Sequence, residues 1–126
     1  MDMMPTILVI EDDQGCSELI AEIVQGLGFA VSLHDRASQA LALIRAQRPD
    51  VLVLDIMLPD GDGLAVLQEI RRDPALYDLP VLLCTAALFE LTGRQKPVDD
   101  PRTELMLKPF HIEDFVWALT RLLEAR

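Results

Sequence analysis

Histidine and cysteine are scarce in this chain, at two each in 126 residues, and aromatics make up only 5%. Cys16 and Cys84 both sit inside apolar patterns. They offer no disulfide framework and read as reduced thiols of a core. Basic residues are few as well: 11 Lys plus Arg stand against 21 Asp plus Glu, for a formal net charge of -10. A sequence pI near 4.4 excludes direct nucleic-acid binding, because a phosphate backbone demands a basic face. The same charge opposes docking on an anionic membrane. No stretch approaches the roughly 18 apolar residues of a membrane span, so no membrane insertion is expected. The segment Met1-Asp2-Met3-Met4-Pro5 lacks the basic start of a secretory signal, which points to a cytoplasmic protein. There is no internal repeat and no low-complexity segment. What is present is 51% hydrophobic and 25% charged residues, enough for one domain with a real core over residues 1–126.

The hydrophobic pattern alternates between two periods. Thr6-Ile-Leu-Val-Ile10 is a short continuous apolar run, as in a strand buried on both faces. From Gln14 to Leu27 the spacing predicts a helix, since Cys16, Leu19, Ile20, Ile23, Val24 and Leu27 share one helical face. Residues 30–34 read as a second strand. Asp35 is the expected cap of a helix over about 36–47, with Ala40, Leu41 and Ile44 inward and Pro49 closing it. Val51-Leu-Val-Leu54 is a third buried strand, followed by the loop Pro59-Asp60-Gly61. A helix carrying Leu64, Leu67 and Ile70 comes next. Residues 80–84 and 105–107 read as fourth and fifth strands. A last helix is striped by Ile112, Phe115, Val116, Leu119, Leu122 and Leu123. Short apolar strands alternating with amphipathic helices predict an α/β fold: a doubly wound, five-stranded parallel sheet. In such sheets ligands sit beyond the carboxyl ends of the strands.

The residues at those ends are all polar. Glu11, Asp12 and Asp13 follow the first strand, Asp55 the third, Thr85 the fourth and Lys108 the fifth. Folded, they gather at least three carboxylates, a hydroxyl and an ammonium. Two carboxylates about 4 Å apart repel by roughly 4 kcal/mol at an effective dielectric near 20, and one lysine cannot offset three negative charges. A divalent cation can. An oxygen-only donor set suits Mg²⁺, or Mn²⁺ as the alternative; with no His or Cys at these positions, zinc does not fit. Metal, lysine and hydroxyl around a central carboxylate are the parts of a phosphoryl-transfer site. Asp55 is then the nucleophile. Glu11 and Asp12, helped by the main-chain carbonyl near Met57, hold the metal, and Thr85 and Lys108 contact the phosphoryl group. Asp13 is read as the cap of the first helix.

Four stretches resemble the receiver domain of bacterial two-component response regulators: Ile7-Leu-Val-Ile-Glu-Asp-Asp13, Val51-Leu-Val-Leu-Asp-Ile-Met-Leu-Pro-Asp-Gly-Asp-Gly63, Pro80-Val-Leu-Leu-Cys-Thr-Ala86 and Leu107-Lys-Pro-Phe110. The resemblance covers essentially the whole chain. It implies a flavodoxin-like strand order of 2-1-3-4-5 and a metal at Glu11, Asp12 and Asp55. It implies phosphorylation of Asp55 by a histidine kinase or phosphotransfer protein, and a cis Lys108–Pro109 bond. It implies a module that switches conformation to bind partners, an output partner included, and that has no enzymatic turnover beyond slow self-dephosphorylation. A homodimer through the last elements of the fold is common among such domains. Two other readings compete. A degenerate, non-phosphorylated receiver acting as an adaptor would tend to lose part of the acidic set, which is intact here. A phosphohydrolase of the haloacid dehalogenase type would want an acid two residues after the nucleophile, where Met57 stands.

Two departures from the family pattern set expectations of their own. Leu105 occupies the position where the family usually carries Tyr or Phe, so the usual aromatic readout is not expected. After the fourth strand, Gly93, Pro97 and Pro101 break the helical pattern, and an interior proline costs a helix about 3 kcal/mol. A short or distorted fourth helix and a mobile loop near 93–103 are therefore expected. No linker or effector sequence follows the last helix, as in a stand-alone receiver or a piece cut from a longer protein.

Overall fold

The computed structural model describes residues 4–86 and 100–126. Five parallel strands form one sheet: β1 (Thr6–Ile10), β2 (Ala30–His34), β3 (Val51–Leu54), β4 (Val81–Thr85) and β5 (Thr103–Leu107). Their order is β2-β1-β3-β4-β5, as the resemblance implied. The helices are α1 (Gln14–Gly26), α2 (Ala40–Gln47), α3 (Gly63–Arg72) and a C-terminal helix, Ile112–Ala125. A two-residue hairpin pairs Met57–Leu58 with Gly61–Asp62.

Successive residues of a strand point to opposite faces, so a strand buried on both sides must be apolar throughout. That is the pattern of β1, β3 and β4 in the centre of the sheet. Ile7, Val9, Val51, Val53, Leu82 and Cys84 pack against α1 and the C-terminal helix through Ile20, Val24, Phe115 and Leu119. Leu8, Ile10, Leu52, Leu54, Val81 and Leu83 pack on the other face against α2 and α3 through Ala40, Ile44, Leu67 and Ile70. Edge strands β2 and β5 are only partly buried. Cys16 and Cys84 are free thiols, as expected. No helix among the described residues is long and apolar enough to cross a membrane.

Several local expectations are corrected. Helix α1 closes at Gly26, as its glycines suggest, but Leu19 and Leu27 are both 38% exposed, outside the buried stripe of Ile20, Ile23 and Val24. The turn beyond it needs a left-handed residue, supplied by Gly28 at φ +85°. Asp35 does not cap the second helix. That segment starts as a short 3₁₀ turn, Ala37–Gln39, whose backbone N–H groups of Ala37 and Ser38 donate to Asp60, at 2.7 and 3.0 Å. The cap thus comes from the loop after β3. Asp13 does cap α1, accepting from Cys16 N at 3.1 Å. Strand β5 begins at Thr103, two residues earlier than its apolar run suggests. The expected distorted fourth helix and most of the expected mobile loop fall on residues 87–99, outside the described residues. Asp100–Arg102, the end of that stretch, form a turn in which Asp100 Oδ1 accepts from Arg102 N at 2.9 Å.

Candidate phosphoacceptor site

The winding of the sheet reverses between β1 and β3, which lie side by side with β2 and β4 flanking them. The crevice at this switch point opens beyond the strand ends. The ladder carries on just past the strands: Glu11 N donates to His34 O at 2.9 Å and Asp55 N to Ile10 O at 3.0 Å. Glu11 and Asp55 are thereby fixed by backbone on either side of the crevice. Both are buried, whereas Asp12 is exposed. Oxygens of these three carboxylates all lie within 4.8 Å of one another. Their chemistry, hard oxygen donors only, fits a Mg²⁺-type ion.

Lys108, just past β5, reaches into this cluster. Its Nζ donates to Glu11 Oε1 and, at 3.1 Å, to Asp55 Oδ2. Asp55 Oδ1 accepts from Met57 N at 3.3 Å, and Glu11 Oε2 accepts from Asp13 N at 3.2 Å. Thr85 is buried at the end of β4, and Lys108 N donates to its carbonyl at 2.9 Å. The Lys108–Pro109 bond is cis. Glu11, Asp12, Asp55 and Lys108 thus meet at the crevice, with the Met57 backbone beside Asp55 and Thr85 at the adjoining end of β4, while Asp13 caps α1.

Burial pushes the Glu11 carboxyl up to about 8, and its hydrogen-bonding contact with Asp55 adds to the effect against the opposing pull of Lys108. Burial would by itself lower Lys108, but the contacts with Glu11 and then Asp55 outweigh it and hold the ammonium above the ordinary lysine range. The lysine is the cluster's internal counter-ion, and it leaves the negative charge only partly balanced.

One structural residue was not picked out as such from the sequence. Gly63, the first residue of α3, packs directly on the backbone of Asp55, and its N–H donates to Ile56 O at 2.7 Å. A Cβ there would stand 2.0 Å from the Asp55 carbonyl oxygen. The signal was present only as a glycine opening a helix, a common pattern of no specificity.

Residues 7–120 match the response regulator receiver domain. The chain belongs to that family. Among curated relatives, it is 39% identical over 121 residues to the probable transcriptional regulatory protein TcrX of Mycobacterium tuberculosis, covering 94% of this chain and 49% of the relative. It is 34% identical over 120 residues to the DNA-binding dual master transcriptional regulator RpaA of Synechocystis sp., covering 95% and 49%. The chain spans about half the length of the curated relatives it matches. Among solved structures, the non-phosphorylated HemR receiver domain of Leptospira biflexa is 31% identical, with a TM-score of 0.73 and 94% of each chain covered. The receiver domain of a sensor histidine kinase of Pseudomonas aeruginosa, which holds a magnesium ion in its active-site cleft, is 25% identical, with a TM-score of 0.83 and coverage of 97% and 99%. This receiver domain thus has the strand order and the acidic crevice that its sequence led one to expect.

Proposed function

We propose that Asp55 accepts a phosphoryl group from a histidine kinase or phosphotransfer protein, and that the domain then changes shape to bind an output partner. The observation that carries this reading is the single contact network in which Lys108 joins Glu11 and Asp55 across three strand ends. One oxygen of Asp55 attacks phosphorus, the bond from phosphorus to the donor's imidazole nitrogen breaks, and an acyl phosphate remains on Asp55. Glu11, Asp12, Asp55 and the Met57 carbonyl would hold Mg²⁺, with Mn²⁺ as a substitute. The ion supplies positive charge to the phosphoryl oxygens when bound. Lys108 supplies a second positive charge, and the Thr85 hydroxyl donates a hydrogen bond to the new group.

Phosphorylation adds about −1.5 to −2 charges at one point. Lys108 and Thr85 follow those charges, and the ends of β4 and β5 follow them. The output is a shift between two conformers. The domain works as a switch and not as a turnover enzyme, apart from slow loss of its own phosphoryl group. Its acidity suits a cytoplasmic protein that meets protein partners, a second copy included, and neither nucleic acid nor membrane directly. An adaptor that is never phosphorylated would not need Glu11, Asp55, Thr85 and Lys108 together. Incubation with Mg²⁺ and acetyl phosphate should add the mass of one phosphoryl group to the wild type and none to Asp55→Asn. An unmodified wild type, or an equal adduct on the variant, refutes the reading.

A further inference from the structure

Arg71, near the end of α3, is heavily engaged outside the crevice. Its Nη1 donates to Tyr77 O at 3.1 Å and Leu79 O at 2.6 Å. Its Nη2 donates to Arg102 O at 3.1 Å and Thr103 Oγ1 at 2.7 Å. Its Nε lies 2.6 Å from Asp100 Oδ2, and the side chain is only 19% exposed. The Arg102 carbonyl also accepts from Val81 N at 2.8 Å, where the β4–β5 pairing begins. One guanidinium thus fastens the loop before β4 and the turn before β5 to the end of α3. Lysine could not replace it, because the two Nη groups of a planar fork serve four acceptors while the delocalised charge also pairs with Asp100.

The other end of α3 is Gly63, packed against the Asp55 carbonyl with no room for even one carbon. A ten-residue helix is a stiff rod of about 15 Å, so a displacement of the Asp55–Ile56 backbone moves Arg71 as well. Strand β5 closes the circuit. It starts at Thr103, held by Arg71, and ends just before Lys108, held by Asp55. The segment from Asp100 to Lys108 is therefore linked to Asp55 directly through Lys108 and, at its start, indirectly through Arg71, α3 and Gly63, and Leu105 between them need not take part.

We propose that Arg71 is a positioning residue that couples the Asp55 pocket to the Asp100–Thr103 turn through α3, so that occupancy of Asp55 is reported at this turn without an aromatic at residue 105. This rests on the phosphoacceptor reading and names the route by which it leaves the site. Coupling is a free energy, measured by whether a change at one end alters the response at the other.

The test uses Mg²⁺ with and without beryllium fluoride, a phosphoryl mimic, on wild type, Arg71→Lys and Arg71→Gln. Asp100→Asn and Thr103→Val trim the same clamp from its other side should the arginine variants fail to fold. Amide exchange over 100–107 and the thermal midpoint are read together. In wild type, beryllium fluoride raises the midpoint and changes exchange at 100–103. In the variants that exchange response falls by about half or more, and the midpoint gain shrinks with it. Variants that are merely less stable, with the full beryllium fluoride response, overturn the coupling. So does a wild type whose midpoint rises while exchange at 100–103 stays unchanged; that outcome leaves the phosphoacceptor reading standing. A wild type with no response of either kind overturns both.

Discussion

Lys108 Nζ stands 3.1 Å from Asp55 Oδ2 while also touching Glu11, so one ammonium from the end of β5 holds the ends of β1 and β3 together. At about 4 Å and an effective dielectric near 20, each such attraction is about 4 kcal/mol before desolvation is counted. In the proposed reaction this same side chain would meet a phosphoryl oxygen. Lys108→Met should therefore slow phosphorylation by acetyl phosphate by about 100-fold, the cost of losing one preorganised charge donor. Single-turnover rates followed by intact mass check this. A rate within a factor of about 2 of wild type would remove Lys108 from the reaction.

Gly63 is the most tightly packed of the described glycines. Its missing Cβ would be 2.0 Å from Asp55 O and 2.9 Å from two further backbone atoms, none of which can rotate away. Gly63→Ala should cost about 3 kcal/mol, at the upper end of overpacking effects. The control is Gly26→Ala, in the last turn of α1, where a Cβ meets nothing within 4 Å. That change should be neutral or stabilise by up to about 1 kcal/mol. Urea denaturation of both variants gives the comparison, and equal stabilities would show that the contact at Asp55 can relax.

Asp60 holds the start of the second helical segment, from 23 residues further along the chain, and Asp35 does not. Hydrogen bonds from the Ser38 and Ala37 backbones keep its carboxyl below the ordinary aspartate range. A depressed carboxylate contributes stability above its unfolded value, and that contribution fades as pH falls through the folded one. Asp60→Ala should lower the thermal midpoint at pH 7 and by less at pH 3, while Asp35→Ala leaves it unchanged. The reverse ranking would return the cap to Asp35.

This pair of aspartates shows where the sequence was legible and where it was not. Local period marked the strands of the sheet and strand-end chemistry the residues Glu11, Asp12, Asp55, Thr85 and Lys108, because a buried apolar run followed by a polar residue is a strong local signal; the strand order came from the family resemblance and not from local pattern. Asp60 was invisible because a cap supplied from another loop leaves no trace in neighbouring residues. Arg71 was invisible for a related reason. In an Arg71-Arg72 pair closing a helix, nothing local tells a clamp from a solvated charge, and only the packing of 77–79 and 100–103 around it decides. Leu19 and Leu27 went the other way, since a helical stripe drawn from sequence is wider than the strip the sheet can cover.

Glu11 gives a pH dependence of definite sign. With its folded carboxyl raised to about 8 by burial, the folded state holds the proton more tightly than the unfolded one. Its favourable contribution is full below the unfolded value of about 4.5 and is lost as pH rises toward 8. Metal-free protein should therefore lose stability between about pH 5 and 8. Glu11→Gln should flatten this slope, and millimolar Mg²⁺ should raise the midpoint most at the alkaline end, where the carboxylate is charged. Thermal melts in chelator and in Mg²⁺ measure both. A slope unchanged by the substitution, or no Mg²⁺ effect at pH 8, would contradict the assignment of Glu11 to the metal cluster.

The central claim concerns one atom group, the carboxylate of Asp55. After incubation with Mg²⁺ and acetyl phosphate, borohydride reduces an acyl phosphate to the alcohol, turning a phosphorylated aspartate into homoserine. Peptide sequencing by mass spectrometry should then find homoserine at position 55 alone, dependent on Mg²⁺ and on acetyl phosphate. Homoserine at another aspartate, or none at 55 under conditions that leave the fold intact, would contradict the account.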